Sequence, residues 1–301
     1  MKILYIGKHD TGHNDDEGAI THALLQLGHD VQRVREERGD RAYRMSNCAF
    51  ALCHHWHDFA SLQAIRIPKV FWCFDLIQWP NDPRMVGRNR QRMAWARQMT
   101  SACNLGFMTD GDWVASEGRG RLHWLPQGAD ERVTGVGEAS KCDRCGGPWC
   151  GVDILFVGGG KGYGRESFVS KMRERYGDSF LHVDHGSHGR DLANLVANAK
   201  IVVAPDTPVT HRYWSNRVYN MLGFGACLLH PYCEFLEQQY HKGGIVFYRS
   251  RDELHLSIER LLRDPVERRE VAMRGHYHTI AAHLYRHRCE ELVRIVREKL
   301  L

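Results

Sequence analysis

Long apolar runs are absent from this 301-residue sequence, and this absence excludes one class of protein at once. Without a stretch of about 18 consecutive hydrophobic residues, no membrane-spanning helix is expected. The first residues, MKILYIGKHD, become polar too soon for a secretory signal and predict a β-strand instead. A strong excess of one charge is also missing: the net charge is only +5, which permits DNA or a nucleotide as a partner without requiring one. We therefore expect a cytoplasmic protein that has no membrane partner.

Cysteine is plentiful, with ten residues, although the chain shows no secretory signal. That combination favours a reducing compartment, in which cysteines are free thiols or metal ligands rather than disulfides. The other proportions, 43% hydrophobic and 26% charged residues, are typical of a soluble globular protein. The length is sufficient for two α/β domains or for one large domain.

Short apolar segments alternate with helical segments in the first half of the chain, and the alternation begins again after residue 151. Alternating strands and helices form right-handed βαβ units around a parallel sheet. The sequence therefore predicts an α/β protein with two Rossmann-like domains. The first covers residues 1–138 and the second residues 152–284, residues 139–151 connect them, and residues 285–301 form a final helix.

Polar residues that directly follow the predicted strands of the first domain are its candidate catalytic groups, because ligands of parallel sheets bind beyond the carboxyl ends of strands. We place Asp75 first, since a carboxylate after the apolar strand 70–74 is not there for packing. A helix cap or an ion pair with Arg84 is the alternative. Further candidates for a general base or an acceptor-orienting group are His9, Asp10 and the cluster His54, His55 and His57, for which a solvated loop is the alternative.

The segment YWSNRVYNMLGFGACLLHP, residues 213–231, predicts a phosphate site at the N-terminus of a helix. Unpaired N–H groups and the helix dipole attract anions there, and we expect Ser215 or Asn216 to cap the helix. Arg217 in the first turn opposes the helix dipole, which makes sense if an anion binds beside it. An ordinary α/β unit with a surface arginine is the alternative.

A glycine-rich stretch, GGGKGYGRE at residues 158–166, lies between a predicted strand and a predicted helix, where backbone amides can bind a diphosphate. Gly159 and Gly160 belong to this backbone, and Lys161 and Arg165 supply positive charge. The stretch lacks the Gly-Lys-Ser/Thr of a Walker A loop, and it is not a clean G-x-G-x-x-G fingerprint followed by an acidic residue at a strand end. Together with Arg217 it predicts a nucleoside diphosphate bound by the second domain.

Several segments of the second half resemble the glycosyltransferase group-1 domain of CgeB-like proteins. They are DILFVGG and GRESF within residues 153–168, AKIVVAPD at 199–206, the segment 213–231 and the tail from Arg268 to Leu292. The segments VFWCFDLIQWPNDPR, FMTDGDWV and HWLPQGADE of the first half resemble phage-encoded and bacterial members more loosely. The resemblance implies a GT-B fold, in which two Rossmann-like domains face each other across a cleft and the final helix crosses back to the first domain. It also implies sugar transfer from a nucleoside diphosphate sugar, with UDP- and GDP-sugars as the expected donors and usually no metal requirement.

The resemblance also bears on individual residues of the donor site. Related retaining enzymes carry a Glu-x7-Glu motif whose second glutamate binds the donor ribose, and this chain has Arg212 and Asn220 at the two positions. An amide such as that of Asn220 can still hydrogen-bond a ribose hydroxyl, although without charge assistance. Other residues are expected beside the donor: His211 and Tyr213 at the sugar, and His185 at the base or sugar, unless its loop is a metal site with His182, Asp184 and His188.

These motifs do not specify the acceptor, but phage members of the resembled family suggest hydroxymethylated DNA bases. The arginine-rich segment RMVGRNRQRMAWAR, residues 84–97, with Trp95 and the nearby Trp79, has the composition of a nucleic-acid surface. A solvated helix face with one core tryptophan is the alternative, and the acceptor is then a glycan, a protein or a small molecule. Two other functions fit the same fold: a non-catalytic nucleotide- or nucleic-acid-binding protein, and a nucleotide-sugar epimerase.

Three cysteines lie close together in the connection KCDRCGGPWCG, namely Cys142, Cys145 and Cys150. The two thiolates of a C-x-x-C pair can bind one Zn²⁺, and the glycines let the loop turn back on itself. His123, Cys103 or a further histidine would supply the fourth ligand. A structural zinc site is therefore expected here, with free buried thiols as the alternative.

Replacing Cys142 and Cys145 by serine is expected to release a bound zinc ion and to lower the melting temperature, because the metal then no longer fixes the connection. Metal analysis of the purified protein and a thermal melt measure the two effects. Wild-type protein that contains no zinc and melts at the same temperature as the double variant would contradict the site.

Overall fold

A computed structural model describes residues 1–9, 16–36, 47–54, 62, 65–77, 79, 85–118, 120–135, 152–160, 165–184, 189–205 and 209–301 of the protein. The chain divides into two compact units. The first consists of Met1–Gly128 and Tyr285–Leu301, and the second of Ala129–Leu284. The whole predicted connection, residues 139–151, lies outside the described ranges.

The strands in chain order are β1 (Lys2–Gly7), β2 (Asp30–Arg35), β3 (Phe50–Cys53), β4 (Lys69–Cys73), β5 (Leu105–Met108), β6 (Leu122–Trp124), β7 (Val152–Val157), β8 (Phe180–Val183), β9 (Ala199–Val203), β10 (Leu228–Pro231) and β11 (Val246–Tyr248). The helices are α1 (Asp16–Gln26), α2 (Val86–Ala102), α3 (Gly111–Glu117), α4 (Arg165–Tyr176), α5 (Gly189–Ala197), α6 (Arg217–Gly223), α7 (Glu234–Gln239), α8 (Arg251–Arg263), α9 (Pro265–Ala282) and α10 (Tyr285–Leu300). Within the described ranges, no helix combines the length and the apolarity needed to cross a membrane.

Side-chain caps fix the start of the two helices that follow the last strand. The hydroxyl of Ser250 accepts a hydrogen bond from the amide of Glu253 at the start of α8. The carboxylate of Asp264 accepts two amide hydrogen bonds at the start of α9, and Pro265 occupies the first position of that helix. Both arrangements satisfy amides that have no partner inside the helix, so the sequence determines these helix starts locally.

The first unit contains a parallel sheet with the strand order β2-β1-β3-β4-β5-β6. Its central strands β1 (KILYIG) and β3 (FALC) are apolar on both faces because helices cover both sides of the sheet. Tyr5 and Trp72 point to the face covered by α1 and α10. Phe71 and Met108 point to the opposite face, where Met99 of α2 packs against them. Successive residues of each strand therefore contribute to two separate core layers.

The final helix α10 belongs to the first unit, where it packs against α1. The hydroxyl of Tyr285, its first residue, donates a hydrogen bond to the Asp16 carboxylate at 2.7 Å, and the side-chain amide of Gln127 donates to the other carboxylate oxygen at 3.2 Å. Burial, together with the neighbouring Asp16 charge, raises the pKa of Tyr285, so its hydroxyl remains a donor. The predicted return of the last helix to the N-terminal domain is confirmed.

The second unit contains its own parallel sheet, with the strand order β11-β10-β9-β7-β8. Phe156, Ile201 and Leu229 from three of its strands pack against Leu254 of α8 and Val271 of α9. The chain leaves β7 on one side to form β8 and returns on the other side to form β9. Such a reversal of strand order opens a crevice at the carboxyl ends of the strands, where ligands of α/β sheets bind. The second unit is thus a second Rossmann-like domain, and the predicted α/β class is confirmed.

Replacing Tyr285 by phenylalanine is expected to lower the free energy of unfolding by about 1.5–3 kcal/mol, since the variant loses a hydrogen bond to a charged group. Urea denaturation followed by circular dichroism measures the change. Tyr277→Phe is the matched control, because this tyrosine is 57% exposed and the loss of its hydroxyl leaves the core untouched. Equal stabilities of the two variants would show that the contact with Asp16 contributes nothing.

Candidate functional site

Gly158 lies at the carboxyl end of β7, beside the reversal in strand order of the second unit. Its backbone N–H donates a hydrogen bond to the carbonyl oxygen of Val183 at 2.9 Å, which ties it to the end of the neighbouring strand β8. Its φ angle is +141°, in a region that side-chain-bearing residues rarely adopt. The backbone at the edge of the sheet is therefore shaped by a glycine.

The guanidinium group of Arg217 covers Gly158. A Cβ atom built on this glycine would lie 2.6 Å from Nη2 and 2.9 Å from Cζ of Arg217, which is closer than any side chain allows. The same guanidinium lies over the ring of Phe156, with Cζ 5.5 Å from the ring centroid. The glycine-rich stretch and the arginine of segment 213–231, two separate features of the sequence, therefore meet at one place.

Two residues at the end of β8 hold the start of the glycine-rich stretch. The Nε2 atom of His182 donates to the carbonyl oxygen of Gly158 at 2.9 Å, and its ring stacks on Phe156 with 5.0 Å between centroids. The Asp184 carboxylate accepts a hydrogen bond from the N–H of Gly160 at 3.0 Å. A Cβ on Gly160 would lie 2.4 Å from the His182 ring. The positive φ angle of Gly158 and the His182 ring beside Gly160 thus favour glycine at both positions.

Asp184 also corrects an inference from the sequence. The glycine-rich stretch is followed by an acidic residue at a strand end after all, since β8 ends at Val183 and Asp184 is the next residue. Its carboxylate uses the N–H of Gly160, so that amide serves the protein rather than a diphosphate. The strand boundary, read together with the residue after it, was the signal that could have identified Asp184 from the sequence.

Arg165 is the first residue of α4, the helix that follows the glycine-rich stretch. Its Nε atom is buried and has no hydrogen-bond partner in the described part of the chain. A buried donor without a partner is costly, and the positive end of a twelve-residue helix lies at the same point. Both features favour an anion at this position, as the sequence predicts.

The start of α6 differs from the expectation in one respect. Asn216 is its N-cap residue, but it has helical dihedral angles and its side chain makes no capping hydrogen bond. The carbonyl oxygen of Ser215 accepts the amide hydrogen bond of Val218 instead. The predicted side-chain cap by Asn216 is therefore wrong. With seven residues α6 is short, so the charge of Arg217 dominates over the helix dipole.

Asn220 lies one turn after Arg217 on α6, and its side-chain oxygen accepts a hydrogen bond from the amide of Asp130 at 3.4 Å.

His211 is exposed, and its Nδ1 atom lies 3.4 Å from a carboxylate oxygen of Glu234 at the start of α7. The backbone oxygen of Tyr213 accepts a hydrogen bond from the Thr210 hydroxyl at 3.1 Å. The loop before α6 is therefore held on α7, separately from the contacts around Gly158.

In the first unit the carboxyl ends of β1 and β3 carry two buried histidines, His9 and His54. The Tyr5 ring contacts both, at centroid distances of 4.7 and 5.3 Å. The strand order reverses between β1 and β3, so these histidines border the ligand-binding edge of this sheet. Asp75 follows β4 with its side chain 61% exposed and 3.6 Å from the Arg92 guanidinium. An exposed carboxylate at this edge can reach a ligand.

The arginine-rich helix α2 combines buried and exposed positions. Trp95 packs against the core of the first unit, and Arg97 forms an ion pair with Glu117 at 2.7 Å. Arg88 and Arg90 are exposed to solvent. The helix is thus a surface element that Ala96, Met99 and Trp95 anchor on the core, and it presents positive charge outward.

Several predicted site residues lie outside the described ranges and stay predictions: Asp10, His55, His57, Arg84, Cys142, Cys145, Cys150, Lys161, His185 and His188. Among the residues that the structure describes, no cluster of histidine, cysteine, aspartate or glutamate could hold a metal ion. Cys103, one candidate fourth zinc ligand, is buried in the first unit, where a hydrogen bond with it helps to raise the pKa of Cys53. His123, another candidate, stacks on Phe107.

Comparison with known proteins agrees with this geometry. Residues 151–294 match a family model described as glycosyl transferase-like. Sucrose-phosphate synthase from Thermosynechococcus elongatus has a similar structure, with a TM-score of 0.73 and 11% identity over 99% of this chain and 98% of that one. Anabaena Alr3699/HepE in complex with UDP and glucose has a TM-score of 0.67 and 10% identity, over 99% of this chain and 100% of that one. T4 phage BGT in complex with UDP-glucose has a TM-score of 0.62 and 12% identity, over 100% of this chain and 99% of that one. Curated protein sequences yield no match.

The fold is therefore that of GT-B glycosyltransferases, as the resemblance of the sequence implied. The similar structures span the chain from end to end, so the agreement includes both sheets and the returning helix α10. The segment that matches the family model contains Gly158, Asp184 and Arg217. The contacts around Gly158 thus lie in the half of the chain that matches glycosyl transferase-like sequences.

Replacing Gly158 by alanine is expected to lower stability by about 1–3 kcal/mol, because the new Cβ collides with Arg217 and the backbone angle is strained. Chemical denaturation measures the change. Gly87→Ala is the control for the substitution itself, since a Cβ there meets open space. Gly120→Ala adds a positive φ of 78° without a collision and separates the two causes. A Gly158→Ala protein as stable as the wild type would contradict the close contact with Arg217.

Proposed function

We propose that the protein is a glycosyltransferase that moves a sugar from a nucleoside diphosphate sugar to an acceptor. The observation that carries the proposal is the Arg217 guanidinium on Gly158, at the ligand-binding edge of the sheet and within the segment that matches the family model. Structures of HepE and of T4 phage BGT, both similar to this chain, contain UDP-glucose. They support a UDP-sugar as the donor and UDP-glucose as the first compound to test.

The second unit is the donor domain in this proposal. Cleavage of the bond between sugar and diphosphate leaves negative charge on the diphosphate, and preorganised positive groups lower the energy of that transition state. Arg217 and Arg165 are suited to this role because a guanidinium can donate two parallel hydrogen bonds to phosphate oxygens. The remaining residues of the proposed donor site are Gly159, Lys161, His185, His211, Tyr213, Ser215, Asn216 and Asn220, without Gly160, whose amide binds Asp184.

The first unit is the acceptor domain in this proposal. An acceptor hydroxyl becomes a better nucleophile when a positioned group removes its proton. Asp75 is the leading candidate for that group because its carboxylate is exposed at the carboxyl edge of the sheet. His9 borders the same edge, and Asp10 follows it in the sequence.

For the acceptor we propose hydroxymethylated DNA, in keeping with the resemblance to phage-encoded CgeB-like members. The exposed arginines Arg88 and Arg90 of α2 support a negatively charged acceptor, since such side chains bind phosphate groups of nucleic acids. Glycans, proteins and small molecules are the alternative acceptors, and each can replace DNA in the same assay.

Incubation with UDP-glucose, alone and with hydroxymethylated DNA, tests the function directly. A glycosyltransferase releases UDP and attaches glucose to its acceptor, and it usually hydrolyses some donor when no acceptor is present. A nucleotide-binding protein without activity leaves the donor intact, and an epimerase converts the sugar while it remains attached to UDP. Binding of the donor without release of UDP under any acceptor condition would contradict the proposal.

Replacing Arg217 by alanine is expected to weaken UDP binding by about 1–3 kcal/mol, because a charge-assisted hydrogen bond to phosphate is lost. Isothermal titration calorimetry measures the change. The variant should remain folded, since alanine fills less space than arginine over Gly158.

Arg263→Ala is the matched control, because this arginine belongs to the same unit and its side chain is 79% exposed on α8. Its affinity for UDP should equal that of the wild type. If Arg217→Ala also leaves the affinity unchanged, Arg217 does not contact the diphosphate.

A further inference from the structure

The first three residues of the glycine-rich stretch use their backbone amides differently. The N–H of Gly158 donates to the carbonyl oxygen of Val183 at 2.9 Å, and the N–H of Gly160 donates to the carboxylate of Asp184 at 3.0 Å. Both acceptors lie at the end of β8. The N–H of Gly159, between these two, has no hydrogen-bond partner in the part of the molecule that the structure describes, and Gly159 is partly exposed. One of the three amides therefore remains for a ligand.

The direction of this amide follows from the peptide group to which it belongs. The carbonyl of Gly158 and the N–H of Gly159 are parts of one planar trans peptide, so they point in opposite directions. The Nε2 atom of His182 donates to that carbonyl oxygen at 2.9 Å. The N–H of Gly159 therefore points away from His182.

The His182 ring is itself fixed by packing. It stacks on Phe156 with 5.0 Å between ring centroids and an angle of 14° between the ring planes. A Cβ on Gly160 would lie 2.4 Å from the same ring. The ring thus covers one side of the glycine-rich stretch, and the amide of Gly159 faces the other side.

That other side is the one on which the strand order reverses. His182 belongs to β8, and β7 lies between β8 and β9. The pairing of β7 with β9 ends before the glycine-rich stretch begins. We therefore expect the Gly159 amide to face the crevice that opens there, beside the Arg217 guanidinium on Gly158. A backbone N–H and a guanidinium that lie side by side can donate to oxygens of the same anion.

We propose that His182 is a positioning residue of the donor site, which directs the Gly159 N–H toward the diphosphate so that this amide donates to a phosphate oxygen. The inference rests on the proposed function, because it concerns the same donor. His182 does not touch the donor and acts through the carbonyl of Gly158. The ribose remains with Asn220.

Amide hydrogen exchange, followed by NMR on the full chain labelled with ¹⁵N-glycine, tests the role of the Gly159 amide. In the protein without nucleotide, Gly159 should exchange faster than Gly158 and Gly160, which hydrogen bonds protect. Saturating UDP should slow exchange at Gly159 by about 10-fold or more and leave the other two rates unchanged, since only this amide gains a charged acceptor. Gly159→Ala assigns the signal, because it removes one labelled glycine.

Two substitutions of His182 test its positioning role through the affinity for UDP, measured by isothermal titration calorimetry. His182→Phe keeps a ring on Phe156 but cannot donate to Gly158, so UDP should bind about 10-fold more weakly. His182→Gln provides an amide donor with a reach similar to that of Nε2 and should restore most of the affinity. His255→Phe is the matched control, because this histidine of the same unit also makes a hydrogen bond and a ring contact, both with Tyr176. Its affinity should equal that of the wild type.

Hydrogen exchange in the variant separates positioning from a merely structural role. In His182→Phe bound to UDP, Gly159 should exchange almost as fast as in the protein without nucleotide, while Gly158 and Gly160 stay protected by their contacts with β8. A variant that exposes all three amides would show that His182 only stabilises the stretch. A variant with the wild-type affinity for UDP would show that it does not position the amide. If His182→Phe does not fold, the exchange of Gly159 in the wild type still tests the contact.

The outcomes distinguish this inference from the proposed function. Wild-type protein that binds UDP without slower exchange at Gly159 overturns the inference and leaves the donor site intact. Wild-type protein that does not bind UDP overturns the donor site and the inference together.

Discussion

The contact between Arg217 and Gly158 is the interaction on which the candidate site depends. A guanidinium lies on a backbone position that has no Cβ and over the ring of Phe156, so it gives up part of its hydration within the protein. A bound diphosphate would compensate that charge where the strand order reverses. The same contact joins three elements: the end of β7, the start of α6 and, through His182, the end of β8. The absence of a Cβ atom at Gly158 therefore allows the guanidinium of Arg217 to lie at this edge of the sheet.

A second constraint concerns the points at which the chain passes from one unit to the other. In the first unit, Gln127 and Tyr285 share the carboxylate of Asp16. In the second unit, the amide of Ala129 donates a hydrogen bond to the carbonyl oxygen of His283 at 2.8 Å. The outgoing and the returning segments are thus paired in each unit. Residues more than a hundred positions apart form these contacts, so sequence patterns over a few neighbouring residues do not determine them.

Particular residues show how far sequence patterns extend. The apolar strands, the glycine-rich stretch and the cap at Ser250 were predictable because each depends on neighbouring residues. The cap at Asn216 was not, because Asn216 itself has helical dihedral angles and its side chain makes no capping hydrogen bond. The partner of Asp75 is Arg92, one of several arginines that the sequence offers at similar separations. Arg92 is the partner because the packing of α2 against the sheet brings its guanidinium to Asp75.

The α/β class, the two Rossmann-like patterns and the glycine-rich turn could be predicted from the sequence, because periodicity and local turn chemistry act over a few residues. The contact of Arg217 with Gly158 and the hydrogen bond between Gly160 and Asp184 depend instead on tertiary packing. Parallel pairing of β7 with β8 and β9 brings the ends of distant segments to one edge of the sheet. The register of that pairing depends on the whole core, since the central strands β7 and β9 are largely buried on both faces.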